Sequence, residues 1–337
     1  MEALLYSPLE NNGVRCALCA HRCKIEVGAR GLCQVRENRD GRLVSLVYGK
    51  LIAQHVDPIE KKPLYHMLPG SLAYSIATVG CNFKCRFCQN ADIAQMPSDH
   101  QGAVVGTAVT PDSVVADAIA KGCASIAYTY TEPTIFFEFA LDVARLAREA
   151  GLRNIFVTNG YMTGEALAML LPVLDAANVD LKSFSDDFYQ QTCGARLAPV
   201  KKTLRRMKDG GVLVEVTTLL IPGHNDAPEE LETLARFLAE ELGPETPWHI
   251  SRFHPTYRMT DRAQTPVETL EMARKIGLAA GLRYVYIGNV PGSGGENTIC
   301  PDCRNIVINR FQYRSRTNLI DSNHCASCHH IIDGVFD

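Results

Sequence analysis

Eleven of the thirteen cysteines fall into three groups, and each group has the spacing of a metal site. The central one is Cys81-Asn-Phe-Lys-Cys85-Arg-Phe-Cys88, a C-x3-C-x2-C triplet that directly follows a short apolar run. Three thiolates on one loop can hold three corners of an iron-sulfur cube and leave one iron without a protein ligand. A structural zinc site is closed by four protein ligands, so a triplet with no obvious fourth points to an open iron-sulfur centre. Phe83 and Phe87, set between the ligands, would keep water away and help set the potential. Near the end of the chain, Cys300-x2-Cys303 and Cys325-x2-Cys328 are separated by 21 residues. Two such knuckles predict a zinc ribbon, with iron as the alternative metal, and a fold that depends on it. His324, His329 and His330 are near enough to substitute, although four cysteines suffice. The leading group, Cys16-x2-Cys19-x3-Cys23-x9-Cys33, could close around zinc or carry an accessory iron-sulfur cluster for electron relay; either leaves His21 without an obligatory metal role. Cys123 and Cys193 stand apart and read as small buried side chains. Cys193, next to Gly194, keeps a catalytic alternative.

The elements that must position these groups divide the chain into residues 1–70, 71–295 and 296–337. In the first region, strand-like stretches at 43–47 and 51–56 precede a polar run, Asp57-Pro-Ile-Glu-Lys-Lys-Pro63, that reads as a surface linker. In the second, short apolar runs alternate with amphipathic segments, which is the pattern of βα units. Strands are predicted at 73–79, 125–130, 154–158, 178–182, 213–221, 248–253 and 284–290. Between them, Thr110-Pro111 is an N-cap and first-turn pair for a helix closed by Gly122. Helices at 133–150, 227–242 and 266–280 each end at a glycine. Six βα repeats and a seventh strand are too few for an eight-fold barrel and predict a partial, TIM-like (β/α)6 barrel of parallel strands, with a doubly wound sheet as the alternative. The third region is too short to bury a core unaided, so a metal staple is expected.

Composition excludes several classes. Of 337 residues, 46% are hydrophobic and 21% charged, ordinary for a globular protein. The net charge of −3, from 34 basic and 37 acidic residues, gives no global field toward nucleic acid or an anionic membrane. No stretch approaches the roughly 18 apolar residues of a membrane span, and the first residues lack a signal-peptide pattern. The expected location is cytoplasmic. Locally, Lys201, Lys202, Arg205, Arg206 and Lys208, together with Arg310, Arg314 and Arg316, keep open a zinc-ribbon module that binds nucleic acid.

In parallel barrels functional groups lie at the carboxyl ends of strands. Those positions hold Tyr130-Thr131-Glu132-Pro133, Thr158-Asn159-Gly160, Asp180-Leu181-Lys182, Arg252-Phe253-His254-Pro255 and Gly288-Asn289. Glu132 is suited to an ammonium or, more plainly, to a helix N-terminus. Asn159-Gly160 can be a ligand contact or a turn. Asp180 and Lys182 share one face, and His254 can be a contact or a hydrogen-bonded structural residue. Gly292, Gly294 and Gly295 lack a following helix and a P-loop lysine, so they read as a flexible connection.

The triplet after a first barrel strand resembles the cluster motif of radical S-adenosylmethionine (SAM) enzymes over about residues 71–295. That resemblance implies a [4Fe-4S] cluster on Cys81, Cys85 and Cys88 whose free iron is chelated by SAM. An electron would cleave the sulfonium to methionine and a 5′-deoxyadenosyl radical that abstracts a substrate hydrogen. It implies SAM contacts at Glu132, where Tyr130-Thr131 replace the two glycines usual before that acid, and at Asn159, Asp180, Lys182 and His254. It also implies a reductant such as flavodoxin or ferredoxin. Thr158-Asn159-Gly160 and Asp180-Leu181-Lys182 are similar to motifs of glycyl radical activating enzymes. The leading cysteines, the run Asp57-Pro-Ile-Glu-Lys-Lys-Pro-Leu-Tyr-His-Met-Leu-Pro-Gly70, Gln89-Asn90, Tyr130 to Thr134 and the cysteine tail resemble the radical SAM member of the AmmeMemoRadiSam system, often labelled pyruvate formate-lyase activating enzyme-like. This implies AMMECR1-family and Memo-family partners. A glycyl radical activating enzyme is the second expectation.

Overall fold

The alternating apolar runs resolve into one eight-stranded sheet in a computed structural model that describes residues 1–337. Its strands are β1 (Ala53–Pro58), β2 (Leu72–Ala77), β3 (Ser125–Tyr128), β4 (Arg153–Thr158), β5 (Ala176–Asp180), β6 (Leu213–Leu220), β7 (Trp248–Arg252) and β8 (Val285–Gly288). They lie in sequence order: β2 to β8 are parallel, and β1 pairs antiparallel with β2 at one edge. A doubly wound sheet reverses its strand order at a switch point. This sheet has no reversal, and β8 and β1 stay unpaired with each other, so it is a partial barrel.

Six helices connect the parallel strands: α1 (Pro111–Ala120), α2 (Phe137–Glu149), α3 (Gly164–Leu170), α4 (Leu197–Asp209), α5 (Pro228–Phe237) and α6 (Val267–Ala279). Local chemistry sets their starts. Thr110 caps α1 by accepting from the Ser113 N–H, with Pro111 in the first turn. The helix expected at 133–150 begins instead as a 3-10 turn, Pro133–Phe136, and turns α-helical at Phe137. Side chains such as Ile126, Phe156, Val179, Val216 and Ile250 are fully buried between sheet and helices.

The expected surface linker is the main departure. Asp57, Ile59, Glu60 and Lys62 are all buried. β1 pairs with β2 through Pro58, and the 3-10 turn Ile59–Lys61 then folds inward. Asp57 and Lys62 can be buried because they pair at 2.6 Å, with Lys61 adding a second contact to Asp57 at 2.8 Å, while Glu60 accepts from the Gly70 N–H. A run of charges read along the chain carries no sign of these pairings.

Both ends pack on the barrel. The first forms an antiparallel set of Tyr6–Pro8, Val14–Cys16 and Lys24–Ile25 and a hairpin of Arg36–Arg39 with Arg42–Ser45. Arg36 from this hairpin is buried against Glu138 of α2 at 2.7 Å. The last region pairs Ile306–Phe311 with Arg314–Thr317 and buries Val307, Ile308 and Ile332 against Tyr65, Tyr284 and Tyr286. Arg310, counted above with a basic surface, is 4% exposed, stacks on Tyr65 and donates to the Tyr65 carbonyl, so it is not available to a nucleic acid. No helix is long and apolar enough to cross a membrane.

Candidate active site

The carboxyl ends of the parallel strands open into a cavity of about 510 Å³, within the usual range for small-molecule sites. Cys81, Cys85 and Cys88 line one wall, and Glu132, Asn159, Asp180 and Lys182 line the floor. Residues 60–63 and Tyr65 from the first region, with Glu296 and Tyr313 from the last, complete the rim. Seven of the eight residues singled out for the cluster and SAM therefore meet around one space. His254 does not. It is exposed beyond the end of β7, beside Gln264. Along β7, alternation turns His249 and Ser251 to the cavity, and the chain then turns away, with the Phe253 N–H held by Thr265. His254 therefore lies outside the cavity lining.

Glu132 is 1% exposed and fixes the ends of β3 and β4 together. One carboxylate oxygen accepts from the Thr134 N–H at 3.0 Å, the Thr134 hydroxyl at 2.5 Å and the Thr158 hydroxyl at 2.7 Å. The other accepts from the Asn159 N–H at 2.8 Å. Burial raises its pKa above the ordinary value against the pull of these bonds. Asn159 in turn donates to the Asn82 side chain at 2.7 Å, which ties the floor to the cysteine loop.

Lys182 and Asp180 form an ion pair at 2.9 Å. Burial opposes the lysine charge, but Asp180 and the nearby Cys85 and Cys193 outweigh it and hold the pKa well above its usual value. The three loop thiols are all raised: Cys81 by burial and Glu132, Cys85 by the Cys193 thiol and burial, and Cys88 to about 11 by burial. Cys193 thus packs against Cys85 and does not stand apart, although it does not line the cavity. The loop itself is held by backbone bonds from Lys84 and Arg86 to Cys193 and Thr192.

Several cavity residues were not foreseen. Tyr130 has φ +60, a left-handed conformation that favours glycine. Here the tyrosine hydroxyl is bound to Asp57, and Lys62 lies 4.3 Å over its ring. Burial lowers Lys62 to about 8 despite Asp57. The unusual Tyr130-Thr131 pair and the lysines of the supposed linker were the available signals, but only tertiary packing joins them. Tyr313 reaches the rim from a two-residue hairpin turn in which Gln312 and Tyr313 both have positive φ.

The other cysteine sets differ in geometry. The sulfurs of Cys300, Cys303, Cys325 and Cys328 all lie within 4.8 Å of one another, and two pairs are 3.6 Å apart. The histidines nearby are outside that group. Cys16, Cys19, Cys23 and Cys33 surround a separate small cavity, and no three of their sulfurs come so close together.

Residues 75–238 match the Radical SAM superfamily. An uncharacterized protein of Methanocaldococcus jannaschii is 46% identical over 336 residues, 99% of each chain. The pyruvate formate-lyase-activating enzyme of Clostridium pasteurianum is 22% identical over 165 residues, 47% of this chain and 66% of that one. Among solved structures, a radical SAM methyltransferase from Sphaerobacter thermophilus aligns with a TM-score of 0.52 at 18% identity, covering 68% of this chain and 70% of that one, which speaks for the fold alone. Fold and site together define an α/β enzyme built on a partial parallel barrel. The chain belongs to the radical SAM superfamily and is homologous to pyruvate formate-lyase activating enzymes.

Proposed function

We propose that the cavity binds SAM beside a [4Fe-4S] cluster held by Cys81, Cys85 and Cys88, and that the enzyme abstracts hydrogen from a small molecule or a protein side chain. The observation that carries this reading is a single loop presenting three thiols, and no fourth, to a cavity of about 510 Å³. The donor set fits: three thiolates leave one iron open, and Phe83 and Phe87 wall it off. Bound there, the cluster would supply the electron that cleaves the sulfonium of SAM.

The chain's own groups have separable tasks. Glu132 retains one acceptor position for the SAM ammonium while its other bonds hold the strand ends in register. Lys182, kept charged by Asp180, faces the SAM carboxylate. Asn159 positions the cysteine loop through Asn82 and would meet the ribose or carboxylate of SAM. Lys62, Glu296 and Tyr313 line the rim and would meet the substrate.

The cysteine sets at both ends and residues 57–70 support placement in the AmmeMemoRadiSam system, with AMMECR1-family and Memo-family partners and a flavodoxin or ferredoxin reductant. We assign zinc to the terminal set, because a zinc ion about 2.3 Å from each thiolate puts tetrahedral sulfurs about 3.8 Å apart, close to the 3.6 Å pairs. The second reading, a glycyl radical activating enzyme, is favoured by the homology to that class.

Anaerobic reconstitution with SAM and a strong reductant tests the proposal. Wild type should release 5′-deoxyadenosine and Cys85→Ala none; undiminished product from the variant would refute it. Glu132→Gln should keep its iron yet bind SAM at least about tenfold more weakly, the loss of one charge-assisted hydrogen bond. Unchanged affinity would remove Glu132 from the site. A glycyl radical signal on a partner protein would decide for the second reading.

A further inference from the structure

We infer that Cys16, Cys19, Cys23 and Cys33 hold a second [4Fe-4S] cluster, closed by four thiolates, that passes electrons to the loop of Cys81, Cys85 and Cys88. Spacing alone left this set open between zinc and iron-sulfur; three features of the structure separate them.

The first is size. The four cysteines line one cavity, and a zinc ion about 2.3 Å from every sulfur would draw them together around a single point. The terminal sulfurs are gathered within 4.8 Å, and no three of the leading ones are. A four-iron cube, with iron at alternate corners and one thiolate on each iron, spreads its thiolates further apart than a single ion does.

The second is the lining. Arg36 and Asn82 are 1% and 2% exposed, and both border this cavity. Arg36 Nε and Nη1 and Asn82 Nδ2 have no hydrogen-bond partner. Buried donors left unpaired are costly. Cluster and thiolate sulfurs would accept from them, and the guanidinium would offset the negative charge of a four-thiolate cluster. Such N–H to sulfur bonds are also how a protein tunes a cluster's potential.

The third is position. Asn82 borders the second cavity and is the residue after Cys81. The His21 ring, in the same lining, bonds the Asn82 carbonyl at 2.8 Å. A Cβ on Gly80, which has φ +101, would stand 2.7 Å from Val35 and 3.2 Å from the Cys33 carbonyl. The two cysteine loops therefore touch at Gly80. Leu32, also in the lining, is 51% exposed, so the second site lies close to the surface.

The relay rests on the proposed function; the cluster itself does not. One electron from a flavodoxin- or ferredoxin-class donor reduces the second cluster from 2+ to 1+. It then moves to the cluster of the Cys81 loop, which goes from 2+ to 1+ as the second returns to 2+, with no bond made or broken.

The full chain, reconstituted anaerobically with iron and sulfide, provides the test. Wild type should hold about eight irons, and Cys81→Ala/Cys85→Ala/Cys88→Ala about four, with an electron paramagnetic resonance signal that ignores SAM. A triple variant without iron, or with zinc in the leading set, would overturn the second cluster. In Cys23→Ala, SAM cleavage driven by flavodoxin should fall at least tenfold while cleavage driven by dithionite changes less than twofold. Equal losses with both reductants, or none with flavodoxin, would overturn the relay. A wild type with about eight irons that cleaves no SAM would fault the proposed function and leave the second cluster standing.

Discussion

Each end of the chain offers four cysteines, and the two sets are built in opposite ways. In the terminal region the two C-x2-C turns repeat one backbone pattern. The Cys300 N–H bonds Asn305 and the Arg304 N–H bonds Cys300; the Cys325 N–H bonds His330 and the His329 N–H bonds Cys325. Arg304 and His329 both take left-handed φ, +63 and +61, to close these turns. Each knuckle delivers its sulfurs to a common point from a short, sparsely packed segment. Against the effect of burial, backbone N–H groups of Ser327 and Cys328 help hold the Cys325 thiol below its ordinary value. The leading cysteines are spread over separate elements, one of which is fastened to the barrel: Cys19 bridges to Met162, and the Ala20 N–H bonds the Tyr161 carbonyl. Ligand number and type are the same, so the scaffold decides how far apart the sulfurs stand. On the proposed zinc site, one region depends on its metal in order to fold. The other has its geometry supplied by the barrel.

The largest effect that can test this contrast is metal removal at the tail. Stripping the metal with a chelator, or Cys303→Ala, withdraws a binding free energy on the order of 10 kcal/mol that is also folding free energy. Residues 296–337 should become sensitive to limited proteolysis while residues 1–70 stay protected. Equal sensitivity at both ends would erase the distinction.

The next effect in size probes the leading region, whose support is an ion pair from the barrel. Arg36 and Glu138 are 1% and 2% exposed, with their charges 2.7 Å apart. In the metal-free chain Glu138→Ala leaves the guanidinium buried and uncompensated, which costs about 3–5 kcal/mol. Denaturant unfolding should show that loss. A change below about 1 kcal/mol, the scale of an exposed pair, would mean that the pair does not anchor the hairpin.

Period and punctuation made the barrel legible. The seven predicted strands overlap β2 to β8, because a strand buried on both faces is a continuous apolar run whatever surrounds it. The cysteine triplet, Glu132, Asn159, Asp180 and Lys182 were readable as neighbours around one cavity because each sits at a strand end or in a dense local motif. Three kinds of residue were not. Asp57 and Lys62 looked like solvent-facing charges until β1 folded them against Tyr130. Arg310 looked like part of a basic surface until the tail folded it onto Tyr65. His254 lies two residues past the end of β7, where the alternation stops. In each case the deciding partner is distant along the chain, and local patterning is silent about it.

The smallest effect concerns Cys193, the one thiol that could make the central site as closed as the terminal one. It packs against Cys85, is fully buried and does not line the cavity. What it gives the loop is its backbone: the Lys84 N–H bonds its carbonyl at 2.8 Å, and the Arg86 N–H bonds that of Thr192 at 3.1 Å. Those bonds survive removal of the side chain. Cys193→Ala should therefore cost about 1 kcal/mol, an ordinary value for a small core substitution. Its iron content and 5′-deoxyadenosine yield should stay within twofold of wild type. Loss of about four irons in this variant would mean that Cys193 is a ligand. The central loop would then be a third closed set, with no open iron for SAM to reach.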